Sequence, residues 1–445
     1  MKVSIGIDSV DSQYGGCTTH VLYRIFKRLV ENGYIESVLD YPYLVRLNPS
    51  IPHKTRGNGA VAINLELKKK VSLNTLIDEV TSVIVEYISG IHGDLSRVCA
   101  VIVPYELSGY FNDIYMKALT DFVHLDYVNN FIKPIEDKVV LPFGLNKGCV
   151  GALAALGWDR SKCTYELLIY RRTVSHTEID REMFDSKFLA ELDSLEEYRT
   201  FCNYDYESGR VVSVPHGPDP VLLGIRGLDP DKLVKAFSFL KPSGIVEGWC
   251  VFKTNQATGA HMIPRTSYEL KPFRTGCLTG LVERVSIRPG GDVVISLTDG
   301  FGEIDAAVFK ESGLTRYAHR LTSGDIIRVC GSMKLWDNLR PVLHVELLEI
   351  IDLVDKYLKF NPRCPKCGAR MKSSGRNKGY KCLKCGFKTR DLLPETLKLH
   401  RGISTGLYLP TCKSVKHLGI PASLLNIPLD CCAKPPTVVS DFYSL

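Results

Sequence analysis

No apolar run in this 445-residue chain approaches the length needed to cross a bilayer. The opening residues, MKVSIGIDSVD, turn acidic where a signal peptide would need an apolar stretch, so the expected compartment is the cytosol, with no membrane contact. No internal repeat, coiled coil or low-complexity tract is visible, which argues against repeat and fibrous architectures. The phosphate-binding pattern G-x-x-x-x-G-K-[ST] is also missing, so an ATP site here has to be unconventional. The fifteen cysteines are an odd number, scattered apart from two C-x2-C pairs and the Cys431, Cys432 doublet. They do not look like a disulfide framework, and reduced thiols plus a metal site is the simpler expectation.

What is present is ordinary globular material: 45% hydrophobic and 24% charged residues, in a length that predicts three or four domains. The net charge of +7 is local. Residues 359–390 hold eleven Lys or Arg and no Asp or Glu, which leaves 45 basic against 49 acidic residues elsewhere. So concentrated a basic module suits a polyanion such as nucleic acid, although a merely solvated face would look the same.

Alternation at Val3, Ile5 and Ile7 predicts a strand ending in the polar loop DSVDSQYGG; Val21, Leu22, Ile25, Phe26, Leu29 and Val30 then share one helical face. Strands at 37–47, 60–67 and 98–105 and a helix at 73–89 continue an α+β pattern to about residue 162. A second α+β unit follows, with strands near 165–170, 211–214 and 221–225, the helix DPDKLVKAFSFL and the strand IVEGWCVFK. Strand-like runs at 277–287, 292–298, 303–309, 325–335 and 341–350, with ESGLTRYAHRL between the third and fourth, follow the order of an OB barrel. The last fifty residues read as an irregular tail.

Cys364, Cys367, Cys382 and Cys385 give C-x2-C-x14-C-x2-C, each pair followed by a glycine. Two such knuckles place four thiolates at the corners of a tetrahedron of the size zinc prefers. With four sulfurs and no open position, the zinc is structural.

Three loops invite phosphate. Asp8 and Asp11 stand at a strand end before Gly15, Gly16 and Thr18; carboxylates there can hold magnesium on a nucleotide, and a helix N-terminus attracts phosphate. Thr18 or Thr19 could equally just cap the helix. In HKTRGNGAV, Lys54 and Arg56 lead into Gly57, Asn58 and Gly59; two cations beside permissive glycines could clamp a triphosphate, while Asn58-Gly59 alone makes a good hairpin turn. GLNKGCVGALAALG enters a helix through glycines, for a pocket or for tight packing.

Taken together and in order, GIDSVDSQYGGCTT, KTRGNGAVAI, GCVGALAALG, GIRG (224–227), FKTNQATGAH (252–261) and the late CxxCG pairs resemble the archaeal tRNA 2-agmatinylcytidine synthetases over nearly the whole chain. The resemblance implies an α+β multidomain protein. It comprises a kinase-like α/β catalytic domain (1–162), a ferredoxin-like domain (163–266), an OB-fold β-barrel (267–355), a zinc ribbon (356–392) and a tail (393–445). It implies an ATP-consuming ligase that attaches agmatine to carbon 2 of the wobble cytidine in the CAU anticodon of an isoleucine tRNA, releasing AMP and two phosphates, so that the tRNA reads AUA rather than AUG. No obligate protein partner is evident.

By the same resemblance Thr18 is the autophosphorylated threonine, with Asp8 and Asp11 near magnesium and phosphates. Lys54, Arg56, Gly57 and Asn58 match the family's basic glycine motif, and from their chemistry we expect them, with Gly15, Gly16 and Gly59, to bind the nucleotide phosphates. Asn255, Gln256, Thr258 and His261 form part of an RNA or agmatine surface, and Lys416 and His417 belong to a tRNA-contacting tail. The family loop reads closer to GIDDTDS, so Ser9 and Val10 replace an aspartate and a threonine, and one metal-binding carboxylate is missing. Two rival readings stand beside this one: a non-catalytic single-strand RNA binder built on the barrel and ribbon, and a related synthetase for another amine.

Overall fold

The computed structural model describes residues 1–445 apart from 13–14, 53, 55–56, 172–185, 215–218, 240–245, 337–339, 430, 432, 434–442 and 444–445. Arg56 therefore lies outside the described residues.

The front half is built on one large sheet. Its elements run β1 (Lys2–Asp8), α1 (Thr18–Glu31), β2 (Ile35–Val38), β3 (Tyr43–Arg46), β4 (Gly59–Leu67), α2 (Leu73–Gly90), β5 (Cys99–Pro104), α3 (Asn112–Thr120), α4 (Leu125–Ile132) and α5 (Gly148–Leu156). They continue as β6 (Thr164–Arg171), α6 (Ser186–Leu192), β7 (Tyr204–Asp205), β8 (Arg210–Val211), β9 (Val221–Gly227), α7 (Pro230–Phe239) and β10 (Val246–Thr254). Strand order is β5-β1-β4-β3-β10-β6-β9, with β2 also on β4. The parallel pairing of β10 with β3 fuses the two expected α+β units into one sheet, and the boundary expected at residue 162 falls between α5 and β6.

Glycines explain how close α5 lies to β1. A Cβ on Gly6 would sit 2.3 Å from the Ala152 carbonyl oxygen, and one on Gly151 would sit 1.9 Å from Asp8 Oδ2. Backbone thus packs on backbone, and the N-terminal end of α5 is brought against the end of β1. Val3, Ile5 and Ile7 point to the opposite face by strand alternation and are fully enclosed.

Next comes the barrel: β11 (Thr275–Ile287), β12 (Val293–Thr298), β13 (Glu303–Val308), the short α8 (Thr315–Ala318), β14 (Ile326–Trp336) and β15 (Arg340–Asp352). Parallel pairing of β13 with β15 closes it, as an OB fold requires, and a separate apolar core fills it. Beyond it, β16 (Tyr357–Phe360) pairs with β20 (Glu395–Lys398), flanking the three-stranded ribbon of β17 (Lys372–Ser373), β18 (Tyr380–Lys381) and β19 (Lys388–Thr389).

The tail corrects its expectation. β21 (Gly406–Tyr408) adds to the barrel sheet on β15, and Tyr443 is buried against the rings of Tyr23 and Phe26. Weak periodicity here reflects docking on several surfaces in turn. Reduced thiols are overturned as well: Cys99–Cys149, Cys163–Cys431, Cys202–Cys412 and Cys277–Cys330 are disulfide-bonded. Their partners lie 50 to 268 residues apart, so no local spacing announces them. Among the described residues no helix is long and apolar enough to cross a membrane.

Candidate active site and zinc ribbon

A cavity of about 1450 Å³ opens where the front sheet, the barrel and the tail meet. Among the described residues eight lysines and arginines and five carboxylates line it, Asp8, Asp11, Lys54 and Lys416 among them, together with Thr18, Gln256, His417 and Gly57 to Gly59. The 8–18 loop and the 54–59 loop, which the sequence can only suggest as partners, thus share one cleft.

Strand β1 delivers Asp8, and Asp11 follows on the loop. Gly15 and Gly16 do not line the cavity; they make the turn. Gly15 exchanges backbone hydrogen bonds with Ser12, and Gly16 has φ +87 where a Cβ would strike Ile91. That turn returns the chain so that the Thr18 hydroxyl donates to Asp11 Oδ1 at 3.3 Å. Capping is not the threonines' role, because Cys17 holds the cap position without a side-chain capping bond. The first turn of α1 contains no acidic side chain, so its amides and dipole remain available to an anion. Asp8 sits in a low-dielectric pocket that pushes its carboxyl up to about 8; the Ser9 amide opposes this and the Asp11 charge adds to it. A cation beside Asp8 would restore the charged form.

The opposite wall is cationic. Arg46, at the end of β3, lies 3.5 Å from Glu166, which also meets Arg226 at 3.5 Å. With its amide turned to suit both neighbours, Gln256 donates to Glu166 Oε2 at 3.2 Å and accepts from Arg226 Nε at 2.7 Å. One carboxylate between two guanidiniums leaves net positive charge. Burial and Lys416 lower the Lys54 ammonium; Lys334, from the barrel, is lowered by burial and by Lys416 and Lys54. His417 is held well below its ordinary value by Arg46, burial, Arg226, Lys54 and Lys416, so a neutral imidazole stands among cations. Gly57 makes room for this: a Cβ there would lie 2.8 Å from His417 Nε2 and 2.9 Å from Arg46 Nη1. Asn58 adopts φ 50 and donates to the Asn48 carbonyl, shaping the long β3–β4 loop rather than a two-residue hairpin.

The NQATG block has a different task from the one expected. Asn255 is fully buried, accepts from the Arg46 amide at 2.7 Å and donates to the Arg46 carbonyl at 2.9 Å. Thr258 closes the turn by donating to the Asn255 carbonyl, and buried His261 pairs with Glu346 of the barrel at 3.1 Å. Only Gln256 of these four reaches the cavity. Asn255, Thr258 and His261 are enclosed and act as an internal scaffold, so of the RNA or agmatine surface expected here Gln256 is the member that faces the cavity. The block also docks the tail: the Ala257 amide donates to the His417 carbonyl and the Gly259 amide to the Leu418 carbonyl.

Arg46, Glu166, Arg226 and Lys334 escape the sequence reading. Arg226 sits in the quoted GIRG, and Arg46 is the lone charge in the apolar run YLVRL; each is a local signal without an evident partner.

In the ribbon, the four cysteine sulfurs all lie within 4.8 Å of one another. The pairs Cys364–Cys385 and Cys367–Cys382 are 3.5 and 3.4 Å apart. Tetrahedral zinc with bonds of about 2.3 Å needs edges of about 3.8 Å, so the donor set fits a closed structural site.

A cavity that sets paired carboxylates against a cationic wall, backed by an OB barrel and a zinc ribbon, is the architecture of a nucleotide-dependent enzyme that acts on RNA. Within that class the chain belongs to the family of isoleucine-tRNA 2-agmatinylcytidine synthetases, TiaS. Family models for the TiaS TCKD domain, the TiaS FLD domain, an OB-fold nucleic acid binding domain and the TiaS C-terminal zinc ribbon match residues 4–82, 146–261, 277–351 and 361–403. The synthetase of Ignisphaera aggregans is 38% identical, covering 93% of this chain and 91% of the relative; that of Thermofilum pendens is 36% identical, covering 96% of each. Among solved structures, the complex of TiaS with its isoleucine tRNA and ATP superposes with a TM-score of 0.82 at 31% identity over 98% of this chain and 100% of that one. The complex of TiaS with the same tRNA, AMPCPP and agmatine has a TM-score of 0.79 at 29% identity, over 98% and 99%.

Proposed function

We infer that this chain is an ATP-dependent ligase that joins agmatine to C2 of the wobble cytidine of the isoleucine tRNA with a CAU anticodon. One observation carries the reading: Asp8, Asp11 and Thr18 share a single cavity with Lys54, Lys416 and the Arg46–Glu166–Arg226 cluster. The cationic wall holds the triphosphate. Asp8 and Asp11 are the groups that would carry magnesium, which when bound neutralises phosphate charge. Asp11 orients the Thr18 hydroxyl toward the transferred phosphoryl group. An amine cannot displace a pyrimidine carbonyl oxygen until that oxygen is a good leaving group. Transfer of one phosphoryl group of ATP to O2 supplies this; agmatine's amine then forms the C–N bond and gives up a proton to solvent as the C–O bond breaks and phosphate leaves with the oxygen, while water cleaves the other phosphoanhydride to give AMP and the second phosphate. The cytidine must leave its stack to reach such a cleft. Ser9 in place of the family aspartate leaves Asp8 and Asp11 to serve alone. The work of the enzyme belongs in the cytoplasm, where tRNA is used.

Mass spectrometry of the wobble nucleoside, after incubation of tRNA with ATP and agmatine, tests the reading. The agmatine adduct is expected with the wild-type chain and its loss with Thr18→Ala. An unmodified nucleoside with the wild-type chain rejects the activity, and full modification by Thr18→Ala rejects the role given to this residue. A binder built on the barrel and ribbon would show no tRNA-stimulated ATP turnover.

A further inference from the structure

The outer face of the barrel continues the cavity. On β14 the residues Ile327, Val329 and Met333 point into the barrel core, so Ser332, Lys334 and Trp336 point outward. They form a row that changes character along its length. Ser332 is buried and donates to Glu346, which holds His261 of the front half; Lys334 lines the cavity; Trp336, about 7 Å further out along the strand, is half-exposed. His344, opposite Ser332 on β15, shares this face.

Around Trp336 the surface is aromatic and cationic. Arg288, at the end of β11, lies 4.0 Å from the centre of the Trp336 ring. Phe309 stands 5.8 Å from Trp336 and 4.8 Å from His344, between ring centres. His344 Nε2 is enclosed with no hydrogen-bond partner among the described residues. Arg340, paired across the strands with Trp336, adds a further cation and meets Asp305. The loops joining the first to the second and the fourth to the fifth strand of an OB barrel are among the places where oligonucleotides lie; Arg288 directly follows β11 and Trp336 ends β14, so the strip stands at both, and rings flanked by cations are how unpaired bases are held without reading their sequence.

We propose that this outer strip of β14 and β15 binds the unpaired tRNA nucleotide next to the cytidine held in the cavity, its base stacking on Trp336 and Phe309 and its phosphate meeting Lys334 and Arg288. The inference rests on the function proposed above and adds to it a positioning surface outside the reaction chamber. Continuity through Lys334 selects the neighbour of the reacting base rather than a distant part of the tRNA.

The chain has three tryptophans, and Trp158 is fully buried, so the difference in fluorescence between wild type and Trp336→Phe isolates Trp336. Titrating each with an anticodon stem-loop is expected to quench the wild type only. Trp336→Ala is expected to raise the tRNA KM about ten-fold, the range of one lost base stack, with the ATP KM unchanged; Trp336→Phe should recover most of that loss. An unchanged tRNA KM in Trp336→Ala, or quenching by an acceptor-stem minihelix but not by the anticodon stem-loop, overturns the proposal. If the wild type leaves the nucleoside unmodified, the enzymatic reading fails by itself, while the quenching titration still decides the strip.

Discussion

The zinc ribbon and the cavity are both built to place charge, and they do so in opposite ways. The ribbon draws its four sulfurs from one stretch, 364–385, and its edges need nothing from the rest of the molecule. The cavity takes carboxylates from the end of the first strand and the loop after it, guanidiniums from β3 and β9, one lysine from the barrel and two from the tail. A local site depends on one ion; a distributed site depends on every long-range contact that keeps its pieces in register. The two should therefore fail under different insults.

Metal removal should break the first and spare the second, with the largest effect. Structural zinc contributes about 10–16 kcal/mol to the folding of small finger domains, so chelation, or Cys382→Ser, should unfold the ribbon locally. Eleven cations then lose their fixed arrangement. tRNA affinity should fall by more than about ten-fold with a shallower salt dependence, while ATP binding by calorimetry stays unchanged. ATP affinity that falls in step with metal content would show that the two regions are coupled after all.

Cutting a staple should do the reverse. Cys202–Cys412 fastens the start of the tail segment whose Lys416 and His417 form part of the cavity wall. Cys412→Ser should cost about 2–4 kcal/mol of stability and raise the ATP KM several-fold, with ribbon zinc content unaltered. Cys277→Ser, which opens a bond between the neighbouring strands β11 and β14, serves as the control and should leave the ATP KM alone. An unchanged KM in Cys412→Ser would mean that the Ala257–His417 and Gly259–Leu418 backbone bonds hold the tail unaided.

The same contrast explains what could be read from residues alone. The ribbon, the five barrel strands and the glycine loops that line the cavity are legible because each is written in local spacing or alternation. What escapes is pairing at a distance. Nothing in the neighbourhood of Arg46 names Glu166 or His417, and nothing near Cys202 names Cys412. By resemblance the NQATG block was expected to form part of an RNA or agmatine surface; the polarity of Asn255 is used inward to hold Arg46, and the Ala257 and Gly259 amides seat the tail. Polar composition marks a site without telling which way it faces, and burial decides that.

Asp8 offers the finest test of the distributed site. Its carboxyl is pushed up to about 8 by burial from an ordinary value of 3.8, so the folded protein keeps a proton that the unfolded chain gives up. Stability that is full below the unfolded value is therefore lost progressively as pH rises from roughly 4 to 8. In cation-free buffer, Asp8→Asn should remove that part of the slope and unfold at higher urea than the wild type at pH 8, by about 1–3 kcal/mol, yet lose the tRNA-modifying activity. Magnesium should then restore stability to the wild type at pH 8 and do nothing for the variant, because only the carboxylate gains from a neighbouring cation. Equal stability of the two proteins at pH 8, with and without magnesium, would mean that Asp8 is not a site where folding energy is held in reserve for a cation.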